Sequence, residues 1–416
     1  MTEKKSYSKY FLLGTMLGFL LSTAAGAYIT GKPLPLSNFV RFHEYINPNG
    51  GFYLTYNQML AQARRLMADK PGKPLLIIGG DSVFYGEGQS SEHCWTKYLQ
   101  QELGDDYAVI NLALPGTKVF EAGYWVYEKL LSEGQNVFLL TDAMPSTVFE
   151  PSGTTPLHYM YFDARERGML LPYAARETFS RQHREWTLFK DEGHQENLEL
   201  RAKLNHYLGV EELWTQFTYS VAGNYFHRTT EFRSLLPRRL FQDPFEDRPP
   251  FEASDNEKLE HGTNIVKRFM AGITALYEKG PPSEYEQFFW RRLSGCTQAS
   301  VPPNARNNLI VCVTAINPLF IDELNEREKK EYRHIKELWL ENFTRQGFQT
   351  WSLNDKLAPE HYVDFDHLSV EGGKAMATEL AKRLKEFRER KNQKWQKINN
   401  PLLWKTSSSR KTHGWL

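Results

Sequence analysis

Short, wholly apolar runs and longer amphipathic stretches alternate in the first third of the chain and again near its end. LLIIG (75–79), YAVINLA (107–113) and NVFLLT (136–141) are too short for buried helices and end in Gly, Pro or polar residues, which predicts buried strands. Between them, QMLAQARRLMAD (58–69), SEHCWTKYLQQEL (91–103) and TKVFEAGYWVYEKLLSEG (117–134) space their apolar residues at helical intervals. Ser90 or Ser91 is the predicted cap of the second, with Trp95, Leu99 and Leu103 on one face, and Gly134 closes the third. The rhythm resumes with NLIVCVT (308–314), a helix over 325–347, the strand FQTWSL (348–353) and a final helix starting near Ser369. Strands alternating with helices of this length predict a three-layer α/β/α domain around a mainly parallel sheet, flavodoxin-like in type. From about 151 to 305 the pattern is polar, aromatic and mostly helical, which predicts an insertion.

The N-terminus changes this picture. Phe11–Ile29 carries no charge and follows Lys4, Lys5 and Lys9. A helix needs about 20 apolar residues to cross a bilayer, and the preceding lysines predict a cytoplasmic N-terminus with the folded part periplasmic or extracellular. The run exceeds the usual signal-peptide core, which favours a retained anchor, although Ala25-Gly26-Ala27 also fits a cleavage site. The chain therefore divides into a cytoplasmic end and anchor (1–31), a first α/β part (32–150), the insertion (151–305), a second α/β part (306–392) and a basic tail (393–416).

The 416 residues suffice for a large core. The formal net charge is only +1, yet eleven Lys/Arg against two acids follow from Lys382 onward, so the rest is acidic. The basic end is a solvated tail or a contact for an anionic membrane or polymer; without a binding module beside it, nucleic acid is not an expected partner. Three cysteines, Cys94, Cys296 and Cys312, exclude a disulfide scaffold and a Cys-rich zinc site, though Cys296 and Cys312 could pair after export. The aromatic stretches of the insertion (YMYF, WTQFTYSVAGNYF, YEQFFWRR) are either core or the wall of a substrate cleft.

Candidate chemistry begins at Gly79-Gly80-Asp81-Ser82, directly after the first core strand. In parallel sheets, ligand sites lie beyond the carboxyl ends of strands, so Ser82 is either part of an ordinary turn or a nucleophile. A serine needs a base, and the base needs an orienting group. In DFDHLS, Asp364 precedes His367 by three residues, a spacing that lets its carboxylate reach the imidazole on a turn, while Asp366 would point elsewhere. Asp364 could equally cap the following helix. Ser82 and Asp364–His367 belong to loops that can emerge at one sheet edge, so together they predict acyl transfer with Ser82 as nucleophile, His367 as base and Asp364 as orienter.

These residues resemble the SGNH hydrolases, also called GDSL esterases and lipases. Gly80-Asp81-Ser82 is similar to that family's first block, Asp364 to His367 to its last, and NLALPGT (111–117) to its second. The resemblance implies an SGNH fold, no metal or organic cofactor, and an oxyanion hole from the backbone N–H groups of Ser82 and Gly116. The third block, G-x-N-D, departs: here the text is TDAMPST (141–147) without asparagine, leaving Thr141 or Ser146 as candidate donors. Such divergence, with a single membrane anchor, resembles relatives that transfer acyl groups on cell-envelope polymers. The expected substrate is thus an acyl ester or glycan, the expected partner a membrane-bound acyltransferase complex. The alternative is a degenerate SGNH-like glycan-binding or scaffold protein.

Overall fold

The computed structural model describes residues 4–30, 32–33, 53–90, 92–143, 155–169, 192–216, 247–252, 254–277, 301 and 303–399. The centre is a five-stranded, all-parallel sheet: β1 (Leu75–Ile78), β2 (Ala108–Asn111), β3 (Val137–Asp142), β4 (Leu309–Thr314) and β5 (Gln349–Leu353), in the order β2-β1-β3-β4-β5. Every residue of β1 to β4 is buried, as expected where no sheet face meets water. β1 lies between β2 and β3, with Ile78 opposite both Asn111 and Leu140. The chain thus moves to one side of β1 and then to the other. Such a reversal marks the carboxyl end of β1 as the place where parallel α/β sheets bind ligands.

The helices differ from expectation mainly at their starts. After an N-terminal apolar helix α1 (Lys4–Ile29), a capping box of Thr55 and Gln58 opens α2 (Tyr56–Asp69). A one-turn helix α3 (Ser82–Tyr85) follows β1, and α4 (Trp95–Leu103) begins at Cys94 with no side-chain cap rather than at Ser90 or Ser91. α5 spans Gly123–Ser132, so residues 117–122 form a loop and not the first turns of a helix. Its hydrogen bonds explain why: the Thr117 hydroxyl donates to the carbonyls of Gly80 (2.6 Å) and Leu114 (2.7 Å), and Lys118 N–H donates to Glu121 Oε2 at 2.8 Å.

The described part of the insertion is mostly helical, with α6 (Thr155–Glu166), α7 (Glu192–Leu208) and α8 (Asn256–Tyr277), while 247–252 is irregular. In YMYF, Tyr159 and Phe162 are buried with Tyr53, Leu198 and Ala202 in a second small core, which assigns that stretch to packing. YEQFFWRR, most of WTQFTYSVAGNYF and the tail beyond 399 lie outside the described residues. After α9 (Pro303–Arg306) and β4 come α10 (Pro318–Asp322), α11 (Glu326–Arg345) and, after β5, α12 (Val370–Asn399), which packs along α4. Cys94 and Cys312 are buried free thiols, so Cys312 is not in a disulfide; Cys296 lies outside the described residues. Ser8–Ile29 of α1 is long and apolar enough to cross a membrane and is almost wholly unburied.

Candidate active site

The turn that follows β1 can be made only by glycine. Gly80 has φ +105°, and a Cβ there would lie 1.8 Å from Asp142 Oδ1. That oxygen accepts the backbone N–H of Asp81 at 2.9 Å, while the Gly80 carbonyl accepts Leu114 N–H at 3.0 Å in addition to the Thr117 hydroxyl. The ends of β2 and β3 thereby grip the turn from both sides. Asp81 caps α3 by accepting Val83 N–H at 3.0 Å, and Ser82 follows as the first helical residue. As such, its N–H has no acceptor within its own helix.

The second half of the site is the loop 362–368. It closes on itself through Val363 N–H to the His367 carbonyl (2.9 Å) and Ser369 N–H to the His361 carbonyl (2.9 Å). Asp364 Oδ1 accepts the backbone N–H groups of His367 (2.8 Å) and Asp366 (3.1 Å), and its Oδ2 meets His367 Nδ1 at 2.8 Å. On the other side of the ring, Nε2 lies 2.8 Å from Ser82 Oγ. With Asp364 ionised, Nδ1 carries the proton and Nε2 is left to accept from the serine hydroxyl. Ser82, His367 and Asp364 are therefore joined in one continuous relay across 285 residues of sequence.

Distant parts of the chain hold this loop in place. Gln89 is fully buried; its Nε2 donates to the carbonyls of Leu368 (3.3 Å) and Ser369 (3.0 Å) and its Oε1 accepts Trp95 N–H at 2.9 Å. Asn317, beyond β4, donates its N–H to the Phe365 carbonyl (2.8 Å) and its Nδ2 to the Asp364 carbonyl (3.2 Å). The insertion contributes too. Arg248 N–H donates to the Gly88 carbonyl at 2.9 Å and Phe251 N–H to the Tyr362 carbonyl at 2.7 Å. The half-exposed Arg248 guanidinium lies 3.2 Å from Glu87 and 3.8 Å from Asp364.

Charge is concentrated around the imidazole. Burial disfavours the Asp364 carboxylate, but its hydrogen bond and attraction to His367 hold its pKa down at about 2. Burial likewise works against the imidazolium, yet Asp366, then Asp364 and Glu87, lift His367 to about 10. Asp366 Oδ1 is 3.1 Å from Nδ1 but makes no aligned hydrogen bond, so its influence is electrostatic. Its own carboxyl is pushed well above the usual range by burial, against the pull of His367 and with help from Asp364 and Asp81. Asp142 is pushed up as well, by burial and then by the Asp81 carboxylate beside it.

Two sequence expectations need correction here. Asp366 does not point away from His367, because the loop wraps around the Asp364 carboxylate instead of following a regular turn. Thr141 is buried in β3 and its hydroxyl donates to the Val119 carbonyl at 3.4 Å; the side chain that hydrogen-bonds the Gly80–Asp81 turn is its neighbour Asp142. Ser146 lies outside the described residues. Gly116, at φ +76°, sits one residue before the Thr117 that grips Gly80. Sequence reasoning missed Gln89, Asn317, Arg248, Glu87 and Asp142; only Asn317 had a readable signal, a polar cap ahead of Pro318 at a helix start.

Asp364, Asp366 and His367 also present ligand atoms within 4.8 Å of one another, a group that could hold a metal ion. Both ring nitrogens of His367 are already engaged, by Asp364 and by Ser82, so the cluster fits a proton relay better than a metal centre. No protein-family model matches the chain, and no curated protein matches it.

Proposed function

We propose that this protein is a membrane-anchored, extracytoplasmic serine esterase or O-acyltransferase of SGNH type, acting on an acyl ester of a cell-envelope glycan or similar substrate. The observation that carries the proposal is the Ser82–His367–Asp364 relay, with 2.8 Å at each junction, at the sheet end where the strand order reverses. Ser82 Oγ attacks the ester carbonyl as Nε2 takes its proton. The resulting imidazolium is stabilised by Asp364 and Asp366. The oxyanion is met by the N–H of Ser82, at the start of α3, and by that of Gly116. Collapse expels the alcohol, which receives the proton from Nε2 and leaves an acyl-serine. Water or a sugar hydroxyl then attacks that ester, His367 again acting as base, and Ser82 is released. The α1 helix would hold the domain at the membrane, and a membrane-bound acyltransferase is a suitable partner because it could supply the acyl group.

A fluorophosphonate probe tests the reading. Labelling of the full chain should be lost in Ser82→Ala and His367→Ala, and acyl groups should pass from an ester donor to water or to an added glycan, which separates hydrolase from transferase. One observation favours a second reading, a binding or scaffold protein without turnover: the end of β3 offers a carboxyl where the resemblance expects an amide donor. Well-folded protein that takes no label would support that reading over the first.

A further inference from the structure

Helix α7 has two unlike faces. Leu198 and Ala202 are buried in the small core with Tyr53, Tyr159 and Phe162. Asn205 donates to Asp163 Oδ1 at 2.9 Å and accepts Glu211 N–H at 2.8 Å. The opposite face carries Leu200, Leu204 and Tyr207, and residues 210–216, helical again beyond Gly209, add Val210 and Trp214. These five side chains are 44–61% exposed; Leu200, Leu204 and Tyr207 share one helical face, and Val210 and Trp214 follow on the short helix beyond Gly209. A surface of this kind on a folded domain signals an interaction.

Its position relative to α1 identifies the occupant. Gly26 of α1 rests on the backbone at the end of α7: a Cβ on Gly26 would lie 2.5 Å from the Leu208 carbonyl oxygen, and one on Gly209 2.3 Å from Gly26 Cα. Two glycines permit this approach. Just beyond, Thr30 accepts from Arg167 Nη1 at 3.2 Å, and Gln216 Nε2 donates to the Pro33 carbonyl at 3.0 Å. Arg167 is itself locked by Asp163 at 2.8 Å and Glu212 at 2.5 Å, its side chain only 7% exposed. The exit of α1 is thus bolted to the insertion. Gly26 precedes the end of the apolar stretch by three residues, about 4.5 Å of helix rise, which is the depth of the boundary between headgroups and acyl chains. Tyr207 and Trp214 are the aromatic types that favour this boundary, and the exposed Lys203 between the apolar positions can extend its ammonium to the headgroups.

We propose that the stripe Leu200–Leu204–Tyr207–Val210–Trp214 is a bilayer-embedded face, lying in the lipid interface at the point where α1 emerges. The inference rests on the reading of α1 as a membrane span. Its consequence is that the catalytic domain is held to the lipid at two points and at one orientation, instead of swinging on a tether.

Nitroxide labels on the full chain in phosphatidylethanolamine–phosphatidylglycerol nanodiscs test this, in a Cys296→Ser background that leaves the buried Cys94 and Cys312 in place. Labels go at Leu17→Cys in α1, at Leu204→Cys and Val210→Cys on the stripe, and at Lys330→Cys on the exposed side of α11. Collision rates with oxygen and with a water-soluble nickel chelate are then compared. Leu17, Leu204 and Val210 should each show an oxygen-to-nickel ratio several-fold above that of Lys330, with the stripe shallower than Leu17. Stripe labels with the ratio of Lys330, beside a lipid-exposed Leu17, overturn the inference and leave the span intact. Stripe labels shielded from both reagents also overturn it, in favour of a protein contact. A water-exposed Leu17 removes the span and the inference together.

Discussion

Asp364 and Asp366 both face His367 Nδ1, and substituting each by asparagine should separate their roles. Asp364 makes the aligned hydrogen bond at 2.8 Å. In Asp364→Asn the amide can present an N–H to Nδ1, which moves the ring proton to Nε2 and leaves Ser82 without a base. A tautomer error of this kind costs on the order of 10³–10⁴ in rate, about 4–5.5 kcal/mol of transition-state stabilisation. Asp366 acts through charge alone. A full unit charge at its 3.1 Å separation from Nδ1 would attract the imidazolium by about 5 kcal/mol at an effective dielectric of ~20. That is an upper bound, because burial and the Asp364 and Asp81 carboxylates hold much of Asp366 neutral. Asp366→Asn is therefore expected to lower the apparent pKa of His367 by roughly 1–2 units while leaving the alkaline plateau nearly unchanged. The assay is the rate of fluorophosphonate labelling between pH 5 and 10. The wild-type rate should climb through alkaline pH, since a raised base pKa means the free base appears late. Asp366→Asn should climb earlier and react faster near neutrality. A profile unmoved by Asp366→Asn, or an Asp364→Asn rate within tenfold of wild type, would refute the assignment.

Gly80→Ala should abolish soluble, folded protein or cost several kcal/mol in chemical denaturation, because the added Cβ meets Asp142 Oδ1 at 1.8 Å and φ is +105°; near-wild-type stability would contradict the turn geometry. Asp142→Asn should stabilise the protein. The raised pKa of Asp142 means its stabilising contribution is complete below the unfolded value of about 3.9 and is lost as pH rises through the folded value, so the gain in melting temperature should be larger at pH 8 than at pH 4.5. Gln89→Leu leaves the Trp95 N–H unmet and removes a donor from the carbonyls of Leu368 and Ser369, the latter still accepting Gly373 N–H at 2.8 Å, and should lower stability by about 1–3 kcal/mol; labelling of the protein that remains folded should also slow, since the Ser82 and His367 loops lose their shared clamp. Arg248→Ala removes a half-exposed ion pair worth roughly 0–1 kcal/mol, so labelling by a small probe should change less than tenfold, and a larger loss would give Arg248 a direct role in the reaction.

The strands were legible because a parallel sheet buried on both faces must be written in continuous apolar runs, and LLII, AVIN and LIVCVT are such runs. The helix starts were less so. Residues 117–122 carry helix-compatible residues, but the tertiary hydrogen bond from Thr117 to Gly80 and the local one from Lys118 N–H to the Glu121 side chain offer that backbone a competing arrangement. Thr141 and Asp142 both lie near the Gly79–Gly80 turn, and it is the tertiary bond from Asp81 N–H to Asp142 Oδ1, not any local pattern, that separates their roles. Asp366 was misplaced because i,i+3 geometry assumes a regular turn, whereas here a carboxylate accepting two backbone N–H groups organises the loop. Gln89 and Arg248 act across more than a hundred residues and leave no trace in local spacing, whereas Asn317 is marked only as a helix cap, not as a partner of the His367 loop.

The clamp from Arg248 and Phe251 bears on specificity. Asp247 adds to it by accepting Ser90 N–H at 2.7 Å, so the segment 247–251 touches both loops of the site, one beside Ser82 and one around His367. The half-exposed cation of Arg248 comes within 4 Å of both Glu87 and Asp364, which places this segment beside Ser82 and His367. Under the proposed function the relay would contact only the reacting ester and would be indifferent to the rest of the substrate. Under the proposed function, selection of the acyl donor and acceptor therefore belongs to the insertion. The same insertion carries α7 and Arg167, which grip the exit of α1. The element that would choose the substrate is thus also the element that would set the height of the site above the lipid. Exchanging the insertion between related chains should transfer both properties together, whereas exchanging the β1 and β5 loops should transfer neither.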